Sequence, residues 1–111
     1  MPIKRGEVYW VDFDPSVGGE IQKTRPAIVI SNNAANLALN RVQVVPITSK
    51  TDRVYPGEAI VDVNGERRKA MATQLATASK LRLGDKLGCL GAHDIARVEA
   101  AIAVQLALQL K

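Results

Sequence analysis

The chain is poor in the residues that most often make and break bonds: its 111 residues include one cysteine, Cys89, and one histidine, His93. A lone cysteine forms no internal disulfide, and inside the apolar phrase KLGCLG Cys89 reads as a small core residue. With one Cys and one His, a zinc site would have to recruit two carboxylates, so no metal is expected. No Ser-His-Asp set can be assembled around His93, and the carboxylates show no spacing that marks an acid–base pair. Long apolar runs are also missing. Nothing approaches the roughly 20 residues that span a bilayer, and the opening MPIKRGEVYW lacks the apolar stretch and cleavage site of a signal peptide. The expectation is a cytoplasmic chain with no membrane segment, and repeats, linkers and low-complexity tracts are absent.

What is present is an apolar content of 47%, enough for one core, so residues 1–111 are expected to form one domain. The net charge of +4 favours a polyanionic partner. Between Arg41 and Lys86 nine basic residues face five acidic ones, interspersed as on a folded surface rather than run together as in a tail.

The pattern predicts a mainly β chain closed by a C-terminal α-helix. EVYWVDF (Glu7 to Phe13) is aromatic and β-branched and stops at Asp14-Pro15, as a strand entering a turn does. SVGGEIQKTR reads as a flexible loop that delivers the chain to Pro26, the first position of a strand PAIVIS covered on both faces and stopped by Ser31-Asn32-Asn33. VQVVPIT (Val42 to Thr48) is the third strand, with Pro46 marking a bulge or an edge. EAIVDV alternates, Asn64-Gly65 signals a tight turn, and RRKAMATQL returns, so that an antiparallel meander is the simplest connection. Ile95, Val98, Ile102, Leu106 and Gln109 or Leu110 then follow helical spacing over about five turns, with Asp94 suited to the helix dipole. Val104 and Leu108 on the other flank suggest a second subunit there.

Any catalysis by this chain must lean on Arg, Lys and hydroxyl groups. Arg25, at a loop-to-strand boundary, has a planar fork that donates to two phosphate oxygens and a permanent charge suited to an extra-charged transition state. Thr48 adds a hydroxyl if the strand ends converge, and Ser49 is its neighbour. The plainer alternative is a solvated loop charge and an ordinary strand threonine.

Four phrases in register, RGEVYWVDFDPSVGGE, TRPAIVISN, VVPITSK and TQLATASKLRLGDKLGCL, resemble the MazF family of toxin ribonucleases, also called PemK or Kid toxins. The resemblance covers nearly the whole chain. It implies a dimeric SH3-like barrel and a cut of single-stranded RNA that needs neither metal nor cofactor and leaves a 2′,3′-cyclic phosphate and a 5′-hydroxyl. It places catalysis on Arg25 and Thr48, and it implies a MazE-like antitoxin with an acidic tail that competes for the basic groove.

Around that pair, Gln22, Lys23, Lys50 and Arg53 supply loop polarity and charge, while Asn32, Asn33, Gln74 and Thr77 are candidates to read base edges or, alternatively, to satisfy backbone at strand ends. Glu20 is a candidate base but reads better as a group that accepts from an exocyclic amine. The chain departs from the family pattern at Ile21-Gln22-Lys23, where relatives often have a glycine-rich run, and at Ala76, where a basic residue is common. Two rivals remain: a gyrase-poisoning toxin of the CcdB type, which needs no catalytic arginine, and a degenerate family member that binds RNA or antitoxin without cutting.

Overall fold

The structure, a computed structural model, describes residues 2–109. It contains strands β1 (Glu7–Asp12), β2 (Thr24–Val29), β3 (Arg41–Thr48), β4 (Glu58–Val63), β5 (Glu66–Met71), β6 (Ala76–Ser79) and β7 (Leu83–Cys89), with helices α1 (Asn33–Ala38) and α2 (Ala92–Leu106). All pairings are antiparallel, in the order β4-β5-β3-β2-β1-β7, with β6 also beside β3. The mainly β reading with a closing helix holds, the sheet being curled into a half-barrel.

The curl originates at β3. Its first half pairs with β6, from Arg41 opposite Ser79 to Val44 opposite Ala76, and its last two residues pair with β5, Ile47 opposite Ala70 and Thr48 opposite Lys69. A single 3₁₀ turn at Ala72–Gln74 carries the chain between those two partners. Pro46 falls in the gap between them, so the sheet loses little through its missing N–H. Of the expected return strand RRKAMATQL, only Arg67 to Met71 is strand, within β5; the turn takes Ala72–Gln74, β6 starts beyond Leu75, and the meander forks at β3. β6 and β7, absent from the sequence-based expectation, complete the sheet; β7 closes against β1.

Alternation sends neighbouring residues of the buried run in β2 to opposite faces. Ile28 and Ile30 join Val8, Val45, Ile47, Val61 and Val98 in the core beneath α2. Ala27 and Val29 join Val11, Val42, Val44 and Ala78 on the other face, under Phe13 and Leu83. The expectation of a strand covered on both faces is met, although β2 begins at Thr24 and Pro26 is its third residue. Ser31-Asn32-Asn33 ends the strand but opens α1: Asn32 Oδ1 accepts the Ala35 N–H at 2.8 Å, because the short amide side chain that stops a strand also caps a helix.

Helix α2 packs Val98 and Ala101 into the core, with Ile95 and Ile102 alongside, and also buries Ala103. It has 15 residues, about four turns rather than five. It ends at Ala107, whose φ of 55° is left-handed and whose N–H reaches back to the Ala103 and Val104 carbonyls. Leu106 is consequently exposed at the last turn, Gln109 lies past the helix, and Leu110 is outside the described residues. A glycine relieves the strain that a Cβ feels there, so Ala107→Gly is expected to stabilise the protein by about 0.5–1 kcal/mol in chemical denaturation. A destabilised variant would contradict this cap.

Cys89 is exposed rather than part of the core. It ends the edge strand β7, in which Leu87 faces inward, and Leu90 just after the strand is buried in the core. Opposite it, Glu7 is almost fully buried: Lys86 Nζ donates to Oε2 at 2.7 Å, and the Lys4 N–H and Tyr9 hydroxyl donate to Oε1 at 2.6 and 2.9 Å. Burial opposes ionisation of Glu7, but these donors and the Lys86 charge outweigh it and hold the carboxyl below its ordinary value of 4.5. Burial and the bond to Glu7 push the Tyr9 phenol up to about 12. Because the folded carboxyl titrates below the unfolded one, its stabilisation is complete above the unfolded value and is lost as pH falls through the folded value. Glu7→Gln should therefore be less stable than the parent at neutral pH and flatten the acid limb of the melting-temperature profile; an unchanged acid limb would rule out this linkage.

Candidate active site

Strand register gathers the polar residues of one sheet face into a single transverse row. Val11 of β1 lies opposite Arg25 of β2 and opposite Leu83 of β7. The β2–β3 ladder pairs Val29 with Val44 and Ala27 with Pro46; continued two residues outward, it sets Arg25 opposite Thr48. Thr48 in turn faces Lys69, and Lys69 faces Ile60. Across β4-β5-β3-β2-β1-β7 the row reads Ile60, Lys69, Thr48, Arg25, Val11, Leu83, so three polar side chains interrupt an apolar line. With strands about 4.8 Å apart, the Arg25 and Thr48 backbones are adjacent.

Arg25 is the second residue of β2 rather than a loop residue, and it is half-buried. Its Nε donates to the Gln22 carbonyl at 3.0 Å, which fixes the guanidinium while leaving the terminal nitrogens available. Thr48 ends β3, and its hydroxyl accepts the Lys50 N–H at 3.3 Å. Ser49, Lys50 and Arg53 follow on an exposed loop, with Arg53 bonded to the Tyr55 hydroxyl at 3.4 Å.

The loop between β1 and β2 is tied at several points. Phe13 N–H donates to the Lys23 carbonyl at 2.9 Å, and the Lys23 N–H donates to Asp14 Oδ1 at 2.9 Å. Lys23 itself turns the chain with a φ of 67°. Arg82 donates to the Asp12 and Asp14 carbonyls at 2.9 and 2.7 Å. Gln74 reaches the Gly19 carbonyl at 3.3 Å, and Glu20 accepts the Val17 N–H at 2.7 Å. These ties frame a cleft of about 310 Å³ lined by Phe13, Glu20, Gln74, Thr77 and Arg82.

The structure thus brings Glu20, Gln74 and Thr77 to one cleft and Arg25 and Thr48 to one row. Gln22 and Lys23 stand exposed on the loop between them. Asn32 and Asn33 lie at the opposite end of β2. Asn32 caps α1, and Asn33 Oδ1 accepts the Arg5 N–H at 2.7 Å. Thr77 sits opposite Gln43, whose amide donates to its hydroxyl at 3.1 Å. Sequence pattern counted Lys69 and Arg82 among the basic residues without a role; the only signal for Lys69 is cross-strand register, which local spacing does not carry. Among the described residues, no group of three or more His, Cys, Asp and Glu side chains is placed to hold a metal ion.

The family model of PemK-like, MazF-like toxins of type II toxin-antitoxin systems matches residues 4–106. Endoribonuclease MazF9 of Mycobacterium tuberculosis is 33% identical over 115 residues, covering 96% of this chain and 98% of its own. Endoribonuclease EndoA of Bacillus subtilis is 33% identical over 113 residues, covering 97% of each chain. Among solved structures, an endoribonuclease in complex with its cognate antitoxin from a mycobacterial species superposes with a TM-score of 0.82 at 26% identity, covering 98% of this chain and 99% of that one.

Proposed function

Because this chain belongs to the family of PemK-like, MazF-like toxins of type II toxin-antitoxin systems, we propose that it is a sequence-specific endoribonuclease, a single toxin domain acting on single-stranded RNA in the cytoplasm. The observation that carries the reading is the row in which Arg25 and Thr48 stand on neighbouring strand ends, where two cation-bearing loops leave the sheet.

In such a cut the RNA's own 2′-oxygen attacks the adjacent phosphorus, the bond to the 5′-oxygen breaks, and a 2′,3′-cyclic phosphate and a 5′-hydroxyl result. No water is consumed; one proton leaves the 2′-hydroxyl and one reaches the 5′-oxygen. Arg25 suits the phosphorane because its terminal nitrogens donate to two equatorial oxygens while Nε stays on Gln22. Its permanent positive charge makes it a hydrogen-bond donor to the leaving oxygen and not a base. Thr48 contributes a hydroxyl to the same phosphate. Lys50 and Arg53 track the RNA backbone, and the cleft of Glu20, Gln74 and Thr77 accepts a splayed base. Glu20 is engaged within its own loop, which suits reading a base better than moving a proton.

The same family membership supports an antitoxin partner, a similar endoribonuclease having been solved in complex with its cognate antitoxin; an acidic flexible segment on such a partner would compete with RNA for these cations. Exposed Val104 and Leu106 on α2, with Leu108 just past its cap, fit a homodimer contact. None of the described helices is long and apolar enough to cross a membrane.

The test is incubation of the purified protein with a long single-stranded RNA in EDTA, followed by end mapping. Cuts clustered at one short motif, with cyclic phosphate ends, are expected. Intact RNA that is still bound would point to a degenerate family member, and an effect confined to DNA supercoiling would point to a gyrase poison.

A further inference from the structure

Lys69 is the one member of the transverse row with a charge that the catalytic reading leaves unused. It stands directly opposite Thr48, and two strand spacings, roughly 10 Å, separate its backbone from that of Arg25. Its side chain is only 12% exposed, and its Nζ lies 3.3 Å from Glu58 Oε1, itself on a side chain 11% exposed. Nζ also donates to the Arg53 carbonyl at 2.9 Å, and Glu58 Oε1 accepts the Tyr55 N–H at 2.9 Å. The pair therefore ties the end of the β3–β4 loop to β5, beside the hydroxyl proposed to meet the phosphate.

A carboxylate at that place is costly for a site that binds a polyanion. Left alone, Glu58 would repel the RNA backbone through a partly buried, weakly screened path. Lys69 cancels that charge where it arises, and its bond to the Arg53 carbonyl holds the loop that presents Lys50 and Arg53. We infer that Lys69 is a positioning residue of the RNA site, which acts on RNA affinity by neutralising Glu58 beside Thr48, at the foot of the cation-bearing β3–β4 loop. This rests on the nuclease reading above and adds to it a charge pair that governs RNA affinity rather than the chemical step.

The expected signature lies in KM. Lys69→Met should raise KM for a single-stranded RNA about three- to tenfold, the size of one unit charge acting over roughly 10 Å with partial screening, and more at low salt than at high salt. kcat should change little, because Arg25 and Thr48 stay on their own strands. Glu58→Gln should lower KM, since it frees the Lys69 charge for the RNA. The double variant Lys69→Met with Glu58→Gln should return KM toward that of the parent, and Lys69→Arg should keep it. A role limited to loop architecture predicts otherwise, because removing Glu58 does not give the Arg53 carbonyl its donor back.

The experiment is steady-state cleavage of one fluorescent oligonucleotide by the parent and these four variants at two salt concentrations, with melting temperatures measured alongside. An unchanged KM in Lys69→Met, or a double variant as poor as Lys69→Met, overturns the inference while leaving the nuclease reading intact. If Lys69→Met does not fold, Glu58→Gln decides: a lowered KM supports the inference and an unchanged or raised KM overturns it. No cleavage by the parent overturns the nuclease reading, and this inference with it.

Discussion

Replacing Arg25 by alanine is expected to lower kcat on single-stranded RNA by about 10²–10³-fold, the loss seen when one preorganised donor to a developing oxyanion is removed. The fold should survive the change. Arg25 is half-buried at the start of β2, and its one hydrogen bond runs to the Gln22 carbonyl, which solvent can satisfy in its absence. Arg25→Lys should recover little of the rate, because an ammonium cannot hold Gln22 through one nitrogen while donating to two phosphate oxygens through others. Single-turnover cleavage with saturating enzyme isolates the chemical step from binding. A rate within a few-fold of the parent in Arg25→Ala would remove the guanidinium from the reaction, and the transverse row would then need another chemical reading.

The largest effect on stability is expected from Ile28→Ala. Ile28 has no solvent exposure, lies between β1 and β3, and packs in the core beneath α2 with Val8, Val45 and Val98. Deleting its outer carbons leaves a cavity walled by strands paired on both sides and unable to collapse, so a loss of about 2–5 kcal/mol is expected. At about 4–8 °C per kcal/mol for a domain near this size, the melting temperature should fall by roughly 8–40 °C. Urea denaturation followed by the fluorescence of Trp10 measures the change. Cleavage per folded molecule well below the new melting temperature should be preserved, since Ile28 points away from the face that carries Arg25. A loss under about 1 kcal/mol would mean that the core closes around the gap, and that β2 is less rigid than its pairing indicates.

How far the sequence disclosed this fold follows from the range of the interactions involved. Local signals were readable: the buried run of β2, the Asn64-Gly65 turn and the helical spacing of Ile95, Val98 and Ile102 each reflect a preference of a few consecutive residues. β6 and β7 were not, because edge and short strands with polar outer faces lack the apolar alternation that marks a half-buried strand. Cys89 was misplaced for the same reason, as its apolar neighbours face inward while it faces out. Asn32 illustrates a different limit, since one side chain serves equally to stop a strand and to cap a helix. At the site, Arg25 and Thr48 were nameable because each has its own chemistry and a recurring phrase around it. Lys69 and Glu58 were not, because only the register between β3 and β5, a long-range property, sets one beside Thr48 and the other against it.

The central claim is that Arg25 and Thr48 act together on one phosphate, and a double-mutant cycle on the chemical step tests it most directly. Single-turnover rates of RNA cleavage in EDTA would be compared for the parent, Arg25→Ala, Thr48→Val and the double variant. Groups that share one transition state are strongly non-additive, so the double variant should be scarcely slower than Arg25→Ala alone. Losses that simply multiply, or an Arg25→Ala variant that cuts at the parent's rate, would contradict the account.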